Sequence, residues 1–233
     1  MGEKSSSGTS TWWLAVRLLA NVIEHLIVGL VVFMIVNFAA ASLGSQAGRV
    51  VGSFQLHIMF SVCGYQLLMV EAILSFSNDG PMGTVLTRQN KRIVHMILAL
   101  LGVISSLTGA ILAFDAHGAK FDTAHGICGL IALIFSLLSC VNGFLSFFSP
   151  QLRDKITPAN VKAVHTICGS LAIIMGLVTL ILGINKPQLF VAFNGRETAT
   201  CLIVFIVLVL VYALIVPMKS MKGYISNMRS TVL

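Results

Sequence analysis

The sequence predicts an all-α integral membrane protein with six transmembrane helices. Composition is the first observation behind that expectation. Of 233 residues, 57% are hydrophobic and 10% are charged, whereas a soluble domain carries about 25% charged residues. The mean hydropathy is +0.94. So little charge cannot clothe a buried core in polar surface. The second observation is a series of six apolar segments, each long enough to cross hydrocarbon about 30 Å thick. Spanning strands are shorter and alternate in polarity, which leaves helices as the assignment. The third is that polar, turn-forming stretches separate the segments.

The chain begins "MGEKSSSGTST". Residues 1–12 read as a disordered cytoplasmic N-terminus. They carry no signal-peptide pattern. Gly2 and Ser6 fit the loose M-G-x-x-x-[ST] myristoylation pattern, which is short enough to match by chance. Residues 13–216 form one six-helix domain, and residues 217–233 a cytoplasmic C-terminal tail. The spans run from Trp13 to Ala41, Val51 to Phe76, Ile93 to Phe114, Ala124 to Phe148, Val161 to Ile184 and Ala199 to Val216. The connections are "SLGSQAGR", "SNDGPMGTVLTRQNKR", "DAHGAKFDT", "SPQLRDKITPAN" and "NKPQLFVAFNGRE".

Lys and Arg set the orientation. Both termini and the second and fourth loops hold eleven of the fifteen: Lys4, Arg17, Arg88, Lys91, Arg92, Arg153, Lys155, Lys162, Lys219, Lys222 and Arg229. The other side holds Arg49, Lys120, Lys186 and Arg196. The richer side is expected to be cytoplasmic. The net charge of +7 expresses this bias and is no signal for nucleic acid. Five cysteines lie in apolar runs without a CxxC pair. They read as small hydrophobes rather than as a zinc or redox motif.

Histidines are the chemical feature. His57, His95, His125 and His165 each fall within the first two turns of spans two to five. Alternate spans run in opposite directions. His57 and His125 therefore lie toward the non-cytoplasmic face, and His95 and His165 toward the cytoplasm. If each sits on the order of 9 Å inside its own face, the two layers are roughly 12 Å apart. Residues at i+4 and i+7 share a helical face with i. At those positions stand Ser61 and Gly64, Ala99 and Gly102, Gly129 and Ala132, and Gly169 and Ala172. All are small.

Two pairs at opposite depths do not gather around one point, as a single four-histidine zinc site would require. Two readings of the pattern stay open. In one, the histidines hydrogen-bond across closely packed helices, and the chain is a non-enzymatic scaffold or small transporter. In the other, paired histidines ligate haem iron, and the small neighbours admit the flat macrocycle.

At these residues the chain resembles the cytochrome b561 family of six-helix, two-haem membrane cytochromes, in its small tumour-suppressor-type branch. The likeness covers Gly52 to Asn185. It rests on four histidines at gaps of 38, 30 and 40 residues and on "LLMVEAILSF" from Leu67 to Phe76. The chain departs from the family's Pro after the first ligand, here Ile58. It also departs from Leu-His-Ser-Trp at the third, here Ala124 to Ile127.

The resemblance implies a four-helix core, spans two to five, binding two haem b groups. His57 and His125 would ligate the non-cytoplasmic one, and His95 and His165 the cytoplasmic one. It implies one-electron transfer from cytoplasmic ascorbate to monodehydroascorbate or a ferric chelate, and a homodimer in membrane lipid. Arg92, Lys91 and Arg88 are candidates to bind ascorbate or a haem propionate, although the positive-inside bias alone also places cations there. His117 and Lys120 are weaker outer candidates. His25 and Glu24 are expected to pack by hydrogen bonding, Glu71 to pair with a loop cation, and Asn142 to bond across helices. Endoplasmic reticulum, vesicle and plasma membrane all fit.

Overall fold

Backbone hydrogen bonds with no water to satisfy them must close within each span. Six helices result. The computed structural model describes residues 11–44, 52–77, 86–117, 121–149, 151, 154–155, 157–186 and 195–232. In chain order the helices are α1 (Thr11–Gly44), α2 (Ser53–Leu74), α3 (Arg88–His117), α4 (Ala124–Phe148), α5 (Pro158–Ile184) and α6 (Arg196–Val232). Each contains a stretch long and apolar enough to cross a membrane.

Local chemistry sets several helix ends. Thr87 accepts from the Asn90 backbone N–H at 3.2 Å. Arg88 to Arg92 thereby wind into α3, where the sequence suggested a loop. Thr123 caps α4 by accepting from Gly126 N–H at 3.2 Å. Pro158 opens α5, at a position whose N–H would have no helical partner anyway. α6 runs on through Pro217 to Val232, so the residues read as a C-terminal tail continue the sixth helix. Proline removes a single backbone bond there. Exposed Lys219 and Lys222 suit a helix that emerges into the headgroup region, where lysines snorkel. The expected disordered segment is likewise shorter by Thr11 and Trp12, which belong to α1.

α2 is not uniform. Cys63–Met69 winds as a π-helix. The wider turn brings three consecutive residues, Gly64, Tyr65 and Gln66, into the interior. A regular α-helix would rotate one of them outward.

The bundle is built from two tight antiparallel pairs, α2 with α3 and α4 with α5. α1 packs on α2 and α6, and α6 packs on α5. Small residues allow the close approaches. A Cβ added at Gly64 would meet Ser106 Oγ, and Gly102 O at 3.0 Å. One at Gly109 would meet the Ser61 N at 3.1 Å. On α1, Asn21, Glu24, Val28, Val31, Ile35 and Ala39 form the buried stripe, at the spacing of one helical face. Leu19, Leu26 and Phe33 on the opposite face are exposed, as lipid-facing residues should be.

Candidate functional site

All four core histidines bond to the backbone of the neighbouring helix, and they do so reciprocally. His57 Nδ1 on α2 lies 2.8 Å from Gly109 O on α3. His95 Nδ1 on α3 lies 2.8 Å from Ala72 O on α2. His125 Nδ1 on α4 lies 3.0 Å from Thr179 O on α5. His165 Nδ1 on α5 lies 2.9 Å from Ser139 O on α4. A carbonyl only accepts, so each Nδ1 carries the proton and donates. In a neutral imidazole that leaves Nε2 as the lone-pair nitrogen, the one a metal would take. The same bond fixes ring orientation, as outer-shell partners of metal-bound histidines do.

The rings then meet across the bundle in the expected pairs. The centroids of His57 and His125 are 6.1 Å apart with planes at 89°. Those of His95 and His165 are 5.9 Å apart at 87°. Two imidazoles opposed across one metal, each with a metal–nitrogen bond of about 2.0 Å, have centres roughly 6 Å apart. Both pairs have the dimension of a bis-histidine iron site. Among the described residues no three His, Cys, Asp or Glu gather as a metal cluster, so the arrangement is paired.

The two levels lie farther apart than the sequence suggested. On α3 the inner ligand candidate His95 and the outer acceptor Gly109 are fourteen residues apart. At 1.5 Å per residue the levels are separated by about 21 Å, not roughly 12 Å. The cause is helix length. α3 has 30 residues, about 45 Å, so its ends reach beyond the hydrocarbon and the histidines near them sit less deep.

The small residues also divide their work differently. Gly64 and Gly102 pack against each other's helices, Gly129 faces Thr179, and Gly169 faces Ser139. They serve helix packing. The glycines against the rings are Gly143 and Gly183, where an added Cβ would lie 3.1 Å from Cε1 of His165 and His125, respectively. Each follows its carbonyl acceptor, Ser139 or Thr179, by one turn. Phe76 holds the equivalent place after Ala72 and stacks at a tilt on His95, 4.9 Å between centroids.

Between the two levels, Tyr65 from the π-turn reaches Ser136 on α4, 3.3 Å between hydroxyls. Its ring also fills the space over Gly176 on α5. Nothing in the local sequence announces this plug, because it depends on the π-turn.

Of the cationic candidates, Arg88 and Arg92 are exposed on the first turns of α3, while Lys91 is only 7% exposed. Lys91 and Arg92 lie one turn before His95. Lys162 stands one turn before His165 on α5, partly exposed. Lys120 and Arg153, and the side chain of His117, fall outside the described residues.

Three polar side chains of the spans differ from expectation. Glu71, expected to pair with a loop cation, pairs with His25: Oε1 is 2.7 Å from His25 Nδ1. α1 lies against α2, which brings the imidazole to the carboxylate. Asn142 does not bond across helices but donates to Leu138 O of its own helix at 2.9 Å, the usual local alternative for a short polar side chain. Glu24 beside His25 was expected to hydrogen-bond. It is 5% exposed, and among the described residues neither carboxylate oxygen has a hydrogen-bond partner.

The eukaryotic cytochrome b561 family model matches residues 56–191, a segment containing all four histidines. The chain is also similar to the transmembrane reductase CYB561D2 of Mus musculus and of Homo sapiens. Each is 28% identical over 134 residues, 56% of this chain and 60% of the relative. The Bos taurus protein of the same name is 29% identical over the same extent. The match thus spans about 60% of the length of these relatives. With more than half of its length matched by the family model, the chain belongs to the eukaryotic cytochrome b561 family.

Proposed function

We propose that this chain is a transmembrane oxidoreductase. It passes electrons from cytoplasmic ascorbate, by way of two haem b groups, to monodehydroascorbate or a ferric chelate on the other side. The observation that carries the proposal is the pairing of the rings at 6.1 and 5.9 Å. Their Nδ1 atoms are all committed to backbone carbonyls. His57 and His125 would hold the non-cytoplasmic haem, and His95 and His165 the cytoplasmic one. A haem with two axial histidines supplies one-electron exchange and leaves no open position for oxygen.

The chain's own residues do the rest. Four hydrogen bonds hold the imidazoles at fixed orientation and tautomer. Gly143 and Gly183 keep side-chain atoms clear of His165 and His125. Apolar α1 and α6 cover α2 and α5 on one side of the bundle. Arg88, Lys91 and Arg92 draw an anionic donor toward the cytoplasmic end by charge, or hold a propionate there. The family resemblance favours a homodimer, and the Lys and Arg bias favours cytoplasmic termini.

The test is a reduced-minus-oxidised absorption spectrum of the purified full chain, with ascorbate as reductant. A haem band that ascorbate reduces is the expected result. A colourless, properly assembled protein would refute the proposal in favour of a scaffold with structural histidines. A coloured protein that ascorbate cannot reduce would retain electron transfer and remove this donor.

A further inference from the structure

A buried polar cluster lies outside the four-helix core. Glu24 sits on the buried stripe of α1 at 5% exposure, and among the described residues neither carboxylate oxygen has a hydrogen-bond partner. One turn earlier, Asn21 is fully buried. It donates to Tyr212 OH of α6 at 3.4 Å while its own Oδ1 is unpartnered. Next to Glu24, His25 bonds Glu71 of α2 at 2.7 Å. An ionised carboxylate in this surround is costly, and its neutral acid much less so. The group is therefore poised to change its proton count when nearby charge changes.

The cluster stands at the level of the inner histidine pair. Glu71 points to α1, and the carbonyl of the next residue, Ala72, accepts from His95 of α3. One helix, about 10 Å across, separates the cluster from the inner site. A unit charge is felt over that distance in a low dielectric.

We propose that Glu24, flanked by His25 and Glu71, is a proton-loading site tied to the redox state of the inner site. This rests on the proposed haem sites. With a haem held at His95 and His165, one electron from a donor of the ascorbate class, or from dithionite, would reduce its ferric iron to ferrous. The added negative charge is balanced when one proton from cytoplasmic water converts the Glu24 carboxylate to the acid. Oxidation returns both. Asn21 and Tyr212 lie between Glu24 and the cytoplasmic end of α1 and supply polar atoms along the approach. The titratable groups that the structure brings toward Glu24 are His25 on α1 and Glu71 on α2, with Tyr212 of α6 one contact further on through Asn21.

The test is a redox titration of the purified haem-loaded full chain at several pH values. It is combined with a reduced-minus-oxidised infrared difference spectrum, for wild type and Glu24→Gln. The expected wild-type results are two. The inner potential falls by up to about 59 mV for each tenfold drop in proton concentration, and a protonated-carboxyl band appears on reduction. In Glu24→Gln the slope flattens and the band is lost, with both haems retained. A wild-type protein with two haems, a pH-independent inner potential and no carboxyl band overturns the inference whether or not the variant folds. So does a variant with unchanged slope and band. A protein that binds no haem overturns the proposed function and this inference together.

Discussion

Gly176→Ala tests the packing between the two histidine levels. A methyl group placed there would stand 2.5 Å from Tyr65 Cε1 and 2.7 Å from Cγ. Carbon atoms rest comfortably about 3.5–4.0 Å apart, so the ring must retreat by about 1 Å. It has little room. Tyr65 is 7% exposed and belongs to a π-turn whose neighbours Gly64 and Gln66 are also buried. The retreat would also stretch the Tyr65–Ser136 hydroxyl contact beyond its 3.3 Å. Overpacking costs about 1–3 kcal/mol, and a lost hydrogen bond about 1 kcal/mol. The expected destabilisation is therefore about 2–4 kcal/mol. Gly29→Ala is the control, since an added Cβ there meets nothing within 4 Å. Helix propensity alone should stabilise it, by up to about 1 kcal/mol. Reversible denaturant unfolding in detergent micelles, followed by circular dichroism, measures both. Gly176→Ala as stable as wild type would refute the packing argument. So would equal losses at the two sites.

Other expectations follow from the same geometry. His125→Ala should remove the haem shared with His57 and leave the other, halving the haem content measured by pyridine haemochrome. Retention of both haems would break the proposed outer pair. His25→Ala leaves Glu71 without its partner in a half-buried site and should cost about 1–3 kcal/mol. A double cycle with Glu71→Gln should recover part of that loss in the unfolding assay. Arg92→Ala, at an exposed position, should raise the KM for ascorbate several-fold while leaving haem content unchanged. A KM identical to wild type would take Arg92 out of donor binding.

The pairing of the histidines was legible because membrane topology is coarse. Alternating spans and the position of each histidine near its helix start suffice to sort four residues into two layers. The depth was not legible, because hydropathy marks where apolar residues stop and not where a helix stops. Thr87 and Pro158 start helices well before the apolar runs begin. The Nδ1 partners were also hidden. They are backbone carbonyls of Gly109, Ala72, Thr179 and Ser139, and any residue type offers a carbonyl. Small residues after each histidine were visible, yet their contacts belong to the neighbouring helix. Gly143 and Gly183, which lie against the rings, are on the partner helix of each pair and share no spacing rule with the ligand they face. His25 with Glu71 depends on how α1 lies on α2, which composition does not encode.

If the two histidine pairs hold one haem each, electron paramagnetic resonance of the oxidised, purified chain, with haem counted per polypeptide, will show it. The expected result is two haems per chain, both low-spin and bis-imidazole, with one signal lost in His125→Ala and the other in His165→Ala. A single haem, a high-spin iron with an open position, or signals indifferent to these substitutions would contradict it.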